Sequence, residues 1–85
     1  MTAHTLIWQP AAFAGLMRIR TTDPQAAKTV RTTVSALVED AYPPDSTPLD
    51  NAGLRRLRVG DARVLYEIDD TNGAIHILTI GLVRR

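Results

Sequence analysis

The sequence predicts an α+β domain with the order β-α-α-β-β-β, in which two helices pack on one face of a small, mostly antiparallel sheet. Apolar residues recur at helical spacing in the first half of the chain and alternate with polar residues in the second half. Gly60-Asp61 and residues 70–73 interrupt that alternation with residue types found in hairpin turns. A chain of 85 residues can bury one modest core, so we expect a single domain over residues 1–85.

The first half of the chain predicts one strand and two helices. Thr5–Trp8 is rich in β-prone residues, and Pro10 then suits the first turn of a helix over residues 11–20. Asp23 is expected to cap a second helix that starts at Pro24. The apolar stripe of this second helix comprises Ala26, Ala27, Val30, Val34, Leu37, Val38 and Ala41.

A polar connector separates the helices from the hairpins. Tyr42-Pro43-Pro44 ends the second helix, because proline lacks a backbone N–H and restricts the residue before it. Residues 43–53 are rich in proline and aspartate, so we expect an ordered surface loop. Two hairpins then complete the sheet, turning at Gly60-Asp61 and at residues 70–73, and the last strand covers residues 74–80.

The first hairpin gathers arginines on one face of the sheet. A two-residue loop at Gly60-Asp61 pairs Arg58 with Arg63 and Arg56 with Leu65. Since side chains alternate along a strand, the three arginines share one face, which we call the arginine face. The opposite, apolar face carries Leu57, Val59, Ala62, Val64, Tyr66 and Ile68. Like charges opposite each other on a sheet repel, so three cations on one face indicate an anionic ligand.

The alternative is a solvated face on which Asp61, Glu67 and Asp69 balance the arginines. The local composition favours an anion site, because residues 53–63 hold four arginines and one acid. The whole chain carries a net charge of only +1. A cationic patch on a nearly neutral protein fits one anionic site better than a general coating of nucleic acid.

Apolar side chains are expected on the arginine face as well. Strict alternation over residues 74–80 puts His76, Leu78 and Ile80 on this face. With Leu65, the two apolar residues form a floor beside a basic rim, as is typical of a docking groove. The residues expected to point toward the core are Ile75, Ile77 and Thr79.

Composition excludes several classes of protein. Hydrophobic residues make up 45% of the chain and charged residues 22%, which is typical of a globular domain. The absence of cysteine excludes disulfides and thiolate chemistry. Residues 10–17, the longest weakly polar stretch, are too few to span a bilayer, and no basic leader precedes them. We therefore expect a soluble, cytoplasmic protein without a membrane partner.

The order of the elements, the run over residues 57–68 and the closing Ile80-Gly81 resemble the RelE/ParE superfamily of type II toxin–antitoxin toxins. The resemblance covers nearly the whole chain in element order and is specific mainly in that run. Members of the RelE branch are ribosome-dependent endoribonucleases that cut messenger RNA, whereas members of the ParE branch inhibit DNA gyrase. The resemblance therefore implies a toxin neutralised by a cognate antitoxin, and the arginine face favours the RelE-like branch, with the ribosome and mRNA as partners.

The resemblance also implies roles for four arginines. In the ribonuclease branch, basic residues before the turn and an arginine after it contact the scissile phosphate; Arg56 and Arg58 resemble the first set, and Arg63 resembles the second. We expect these three to bind RNA and to act in catalysis, with Arg84 as a further catalytic residue. Leu82-Val83 stands where that branch has a basic pair, and no tyrosine follows. This departure favours two alternatives, a ParE-like gyrase inhibitor without ribonuclease activity and a degenerate toxin that retains only antitoxin binding.

An antitoxin is expected to bury the apolar floor of Leu65, Leu78 and Ile80 and to bring carboxylates near the arginines. Arginine keeps its proton at neutral pH, so RNA cleavage needs a separate acid or base. His76 is a candidate, and its alternative is a solvated strand residue. Two isolated histidines form no zinc motif and the scattered glycines form no phosphate-binding loop, so we expect neither a metal nor a cofactor.

Overall fold

A five-stranded sheet with two helices on one face makes up the protein, in a computed structural model that describes residues 4–83. The helices are α1, Pro10–Thr22, and α2, Pro24–Ser35. The strands are β1, Thr5–Trp8; β2, Ser46–Pro48; β3, Leu54–Val59; β4, Ala62–Asp69; and β5, Ala74–Leu82. The sheet order is β1-β5-β4-β3-β2, with β1 parallel to β5 and the other neighbours antiparallel. The predicted α+β class is confirmed.

The second helix begins where the sequence predicts but ends earlier. Pro24 is its first residue, and the Asp23 carboxylate accepts a hydrogen bond from the backbone N–H of Ala26 at 3.1 Å. A 3-10 helix over Ala36–Val38 follows, where the apolar stripe predicted more α-helix. Because Leu37 is buried in this tighter turn, the apolar spacing does not distinguish the two helix types. In the described part of the chain, no helix is long and apolar enough to cross a membrane.

The core lies between the helices and the apolar face of the sheet. Tyr66 is fully buried there (0% exposed), and its hydroxyl donates to the Ala41 carbonyl at 2.7 Å. A buried hydroxyl that has its hydrogen bond adds no desolvation penalty, so the ring can fill the core. The other large side chains with almost no exposure are Leu37, Leu57, Ile75, Ile77, Val30, Val34 and Val64.

Helix α1 approaches β5 so closely that one position requires glycine. Gly15 is buried, and a Cβ atom at this position would clash with the backbone carbonyl oxygen of Ile80. This oxygen belongs to a paired strand and cannot rotate away as a side chain can. Gly15 therefore sets the spacing between α1 and the sheet.

The predicted connector contains a short strand that the sequence did not indicate. Ser46–Pro48 pairs with β3, where Ser46 lies opposite Leu57 and Thr47 opposite Arg56. Three residues are too few to show an alternating pattern, and Pro48 is tolerated because β2 lies at the edge of the sheet. This pairing brings the start of the connector alongside the arginine hairpin.

The first hairpin has the predicted register. Val59 pairs with Ala62 and Arg58 pairs with Arg63, so Gly60-Asp61 forms a two-residue loop. Gly60 has a φ of 59°, as the first central residue of a type II′ turn requires. The turn therefore holds both strands in the pairing that sorts their side chains between the two faces.

A β-bulge in β5 departs from the predicted alternation. Tyr66 pairs with Ile77 and Leu65 pairs with Thr79, so Leu78 is skipped by the register. One extra residue in a strand reverses the facing of every residue after it.

The prediction that Ile80 lies on the arginine face is therefore wrong, as is the assignment of Thr79 to the core. Ile80 lies opposite Val64 in the core and is only 4% exposed, whereas Thr79 is exposed opposite Leu65. The sequence does not reveal the bulge, because either register of β5 against β4 places apolar residues on both faces of the sheet.

The close approach at Gly15 predicts that Gly15→Ala lowers the free energy of unfolding by about 1–3 kcal/mol, because α1 must move away from β5. Urea unfolding followed by circular dichroism measures this change. The matched control is Gly81→Ala in β5, where an added Cβ meets nothing within 4 Å. Equal stability of the two variants would contradict the proposed spacing role.

Candidate functional site

Three arginines of the first hairpin line one depression on the arginine face. Arg56, Arg58 and Arg63 surround a volume of about 300 Å³ together with Pro44, Asp45 and Thr47. The pairing of β3 with β4 puts the three arginines on one face, and β2 closes the side of the depression. The structure thus brings together the three arginines that strand parity grouped. We call this feature the arginine depression.

The arginines differ in how firmly they are held. Nη1 of Arg63 donates to the carbonyl oxygens of Gly60 and Ala62, each at 2.9 Å, so this guanidinium is bound to the turn. Arg58 Nη2 lies 3.3 Å from Asp45 Oδ1, and both side chains are exposed. An exposed ion pair contributes little stability, so an incoming anion can displace Asp45 from Arg58 at small cost.

Asp45 was missed as a site residue because it lies in the connector. Its backbone carbonyl accepts a hydrogen bond from the N–H of Arg58 at 3.0 Å, which extends the pairing of β2 with β3. The connector shows no alternation that would predict this pairing. Among the described residues that line the depression, Asp45 is the only one with a carboxylate.

Arg55 points away from the depression. It lies opposite the buried Tyr66, and its Nε donates to Ser46 Oγ at 2.7 Å. Its guanidinium carbon is 4.9 Å from the centre of the Tyr42 ring. Arg55 therefore belongs to the edge of the sheet and not to the cationic group.

The apolar floor is smaller than predicted. Leu65 and Leu78 are half-buried and do not pack against the helix-side core, whereas Ile80 lies in that core. Leu54 is also half-buried and shares the arginine face, since it lies two residues from Arg56 on β3. The structure thus replaces Ile80 with Leu54 in the floor, and the role of the floor in antitoxin binding stays a prediction.

His76 lies near its expected neighbours but far from the arginines. Its Nε2 is 3.8 Å from Asp69 Oδ2, and it pairs with Glu67 across the hairpin. Glu67 lies four residue positions along β4 from Arg63, which is roughly 13 Å along a strand. The structure therefore does not bring His76 together with the arginine depression.

Asp69 is held as a carboxylate by the turn that follows β4. The side-chain amide of Asn72 donates to Oδ2 at 2.8 Å and its backbone N–H donates to Oδ1 at 3.2 Å. These two hydrogen bonds, followed by the nearby His76, lower the pKa of Asp69. The carboxylate thus has a local role in the turn and is committed to Asn72.

The predicted catalytic residue Arg84 lies outside the residues that the structure describes. The two residues before it, Leu82 and Val83, are 49% and 42% exposed. The N–H of Val83 donates to the carbonyl of Asp61 at 2.8 Å, which ties the end of β5 to the first hairpin turn. No three histidine, aspartate or glutamate side chains of residues 4–83 are placed to share a metal ion.

Solved toxin structures share this fold. The RelE–RelB complex of Pyrococcus horikoshii OT3 matches with a TM-score of 0.83 at 20% identity, covering 95% of this chain and 96% of that chain. The RelBE2 toxin–antitoxin complex of Mycobacterium tuberculosis matches with a TM-score of 0.81 at 24% identity, covering 96% and 100%. The chromosomal ParDE system of P. aeruginosa matches with a TM-score of 0.78 at 20% identity, covering 96% and 98%.

The sequence itself identifies the family. No curated protein matches the chain by sequence. The family model described as the ParE toxin of the type II toxin–antitoxin system parDE matches residues 6–85. This match spans almost the whole chain, including the hairpin that carries the arginine depression. The chain therefore belongs to the ParE toxin family of type II toxin–antitoxin systems.

Proposed function

We propose that this toxin is an endoribonuclease that cleaves messenger RNA on the ribosome. The observation that carries the proposal is the convergence of Arg56, Arg58 and Arg63 on one depression beside a carboxylate. A planar, permanently charged guanidinium matches the oxygens of a phosphate in geometry and charge. Three of them support the binding of an RNA backbone phosphate and the stabilisation of the charge that builds up during its cleavage.

The reaction that this geometry supports is attack by the adjacent 2′-hydroxyl. Asp45 takes the proton of the hydroxyl, the 2′-oxygen bonds to phosphorus, and the bond from phosphorus to the 5′-oxygen breaks. The 5′-oxygen takes a proton from solvent, which leaves a 2′,3′-cyclic phosphate and a 5′-hydroxyl. The arginines cannot replace Asp45, because a guanidinium keeps its own proton at neutral pH and accepts no other.

The ribosome supplies positioning in this proposal. The arginine depression is open, and Arg56, Arg58 and Asp45 are all exposed, so these side chains alone do not fix an RNA strand for in-line attack. Holding a strand in a reactive geometry contributes a large part of the rate in such reactions. We assign this contribution to the ribosome and the electrostatic contribution to the toxin.

The family match and one observation on the surface favour a second candidate, inhibition of DNA gyrase. Leu82 and Val83 are exposed at the end of β5, at positions where the RelE-like resemblance implies basic residues. An exposed apolar pair suits contact with a protein better than contact with RNA.

We also propose that a cognate antitoxin covers the arginine face. The half-buried floor of Leu54, Leu65 and Leu78 lies beside cationic side chains, and apolar residues with carboxylates complement such a surface. The solved relatives named above include toxin–antitoxin complexes, which supports a partner of this kind.

Induced expression with mapping of mRNA 5′ ends tests the ribonuclease proposal. Wild-type toxin is expected to produce new cleavage sites, and Arg58→Ala is expected to reduce cleavage on isolated ribosomes by about 10²–10³-fold, as loss of one charge-stabilising donor does. Asp45→Asn is expected to reduce it by at least about 10²-fold, as loss of a general base does. The matched control is Arg18→Ala, which removes an exposed arginine from α1.

A folded, antitoxin-free toxin that yields no new cleavage sites would overturn the ribonuclease proposal. Loss of supercoiling by purified gyrase in the presence of the toxin would then support the second candidate. A toxin that is inert in both assays but binds its antitoxin would be the degenerate form.

The antitoxin surface predicts that Leu78→Asp weakens the complex at least tenfold, because a carboxylate replaces a buried methyl contact and repels the antitoxin's own acids. Titration calorimetry with the cognate antitoxin measures the change. Leu49→Asp makes the same substitution at an exposed leucine of the connector and serves as the control. If both variants bind equally well, the floor is not the antitoxin surface.

A further inference from the structure

We propose that Tyr42 is a stacking site for a nucleobase of the RNA strand whose phosphate occupies the arginine depression. The inference rests on the proposed ribonuclease function and extends it, since it concerns recognition of a base and not of the backbone. It assigns a role to an exposed aromatic residue that the sequence marked only as the end of a helix.

Tyr42 is an exposed ring with a cation fixed over it. The side chain is 56% exposed, and the Arg55 guanidinium carbon lies 4.9 Å from the ring centre. With Arg55 over one face, the exposed surface of the ring remains available to a flat partner. Single-stranded nucleic acids bind proteins mainly by stacking unpaired bases on such rings.

The guanidinium over the ring is held by hydrogen bonds that lead to the core of the protein. Buried Tyr66 shares a hydrogen bond of 2.5 Å with Ser46, and Arg55 Nε donates to the same Ser46 hydroxyl at 2.7 Å. Arg55 Nη2 also donates to the Ser46 carbonyl at 3.3 Å. These bonds hold the guanidinium in place, and the guanidinium packs over one face of the Tyr42 ring. A platform ordered before binding loses little conformational entropy when a base stacks on it.

The platform adjoins the arginine depression through two chain segments. Tyr42 lies two residues before Pro44, which lines the depression, so their Cα atoms are at most about 7.6 Å apart. Arg55 directly precedes Arg56, another lining residue, on β3. Arg55 leaves the sheet on the face opposite the depression, so a nucleotide next to the bound phosphate passes around the short edge strand β2 to reach the ring.

Phe13 provides a matched comparison within the same chain. It is also 56% exposed, but it lies on α1, in the helical layer and not beside the arginine depression. Loss of the ring at Phe13 removes an equally exposed aromatic side chain and leaves the proposed path of the RNA unchanged.

Fluorescence anisotropy with two single-stranded probes tests the inference. One probe is a short oligouridylate, and the other is the same strand with abasic riboses in place of its nucleotides. Tyr42→Leu is expected to weaken binding of the oligouridylate roughly 5- to 100-fold, the range for loss of one stacked base, and to leave binding of the abasic strand unchanged. Tyr42→Phe is expected to restore tight binding, and Phe13→Leu is expected to bind both probes as the wild type does.

The outcomes separate this inference from the function on which it rests. If Tyr42→Leu binds both probes as the wild type does while Arg58→Ala weakens both, the phosphate site stands and the stacking site is refuted. If Tyr42→Leu weakens both probes equally, the ring only supports the connector, and the inference is likewise refuted. Wild-type toxin that binds neither probe would overturn RNA recognition by this face together with the stacking site.

Discussion

The register of the β3–β4 hairpin is the constraint on which the arginine depression depends. Because Arg58 lies opposite Arg63 and Arg56 lies opposite Leu65, three guanidinium groups leave the sheet on the same side. A shift of β3 by one residue would turn Leu57 to solvent and Arg56 and Arg58 toward the core. The apolar face and the cationic face are thus specified by one pairing, and burial of the first determines the position of the second.

The three guanidinium groups on the arginine face repel one another. The fold relieves this repulsion only in part. Arg63 donates to uncharged turn carbonyls and Arg58 pairs with an exposed carboxylate, and both partners are weak compared with a phosphate. An anion that enters the depression therefore gains three favourable interactions while displacing little. In the proposed function, the same surface would bind both RNA and the carboxylates of an antitoxin, since each supplies negative charge.

Much of the fold follows from local sequence signals, and the exceptions have physical causes. Asp23-Pro24 and Gly60-Asp61 act through capping and turn geometry within a few residues, so the sequence predicts them directly. The bulge at Leu78 depends on packing between β5 and its neighbours, so alternation placed Ile80 on the wrong face. Asp45 joins the site only because the three-residue edge strand β2 pairs with β3. No local sequence pattern predicts that pairing.

We propose that Arg56, Arg58 and Arg63 form one anion site. The most direct measurement follows the guanidinium Nε–Hε resonances of all arginines by NMR during a titration with inorganic phosphate. A single site predicts that the resonances of these three shift together with one dissociation constant, while those of Arg18, Arg20 and Arg31 on the helices stay in place. Independent constants for the three, or equal shifts for every arginine, would contradict the account.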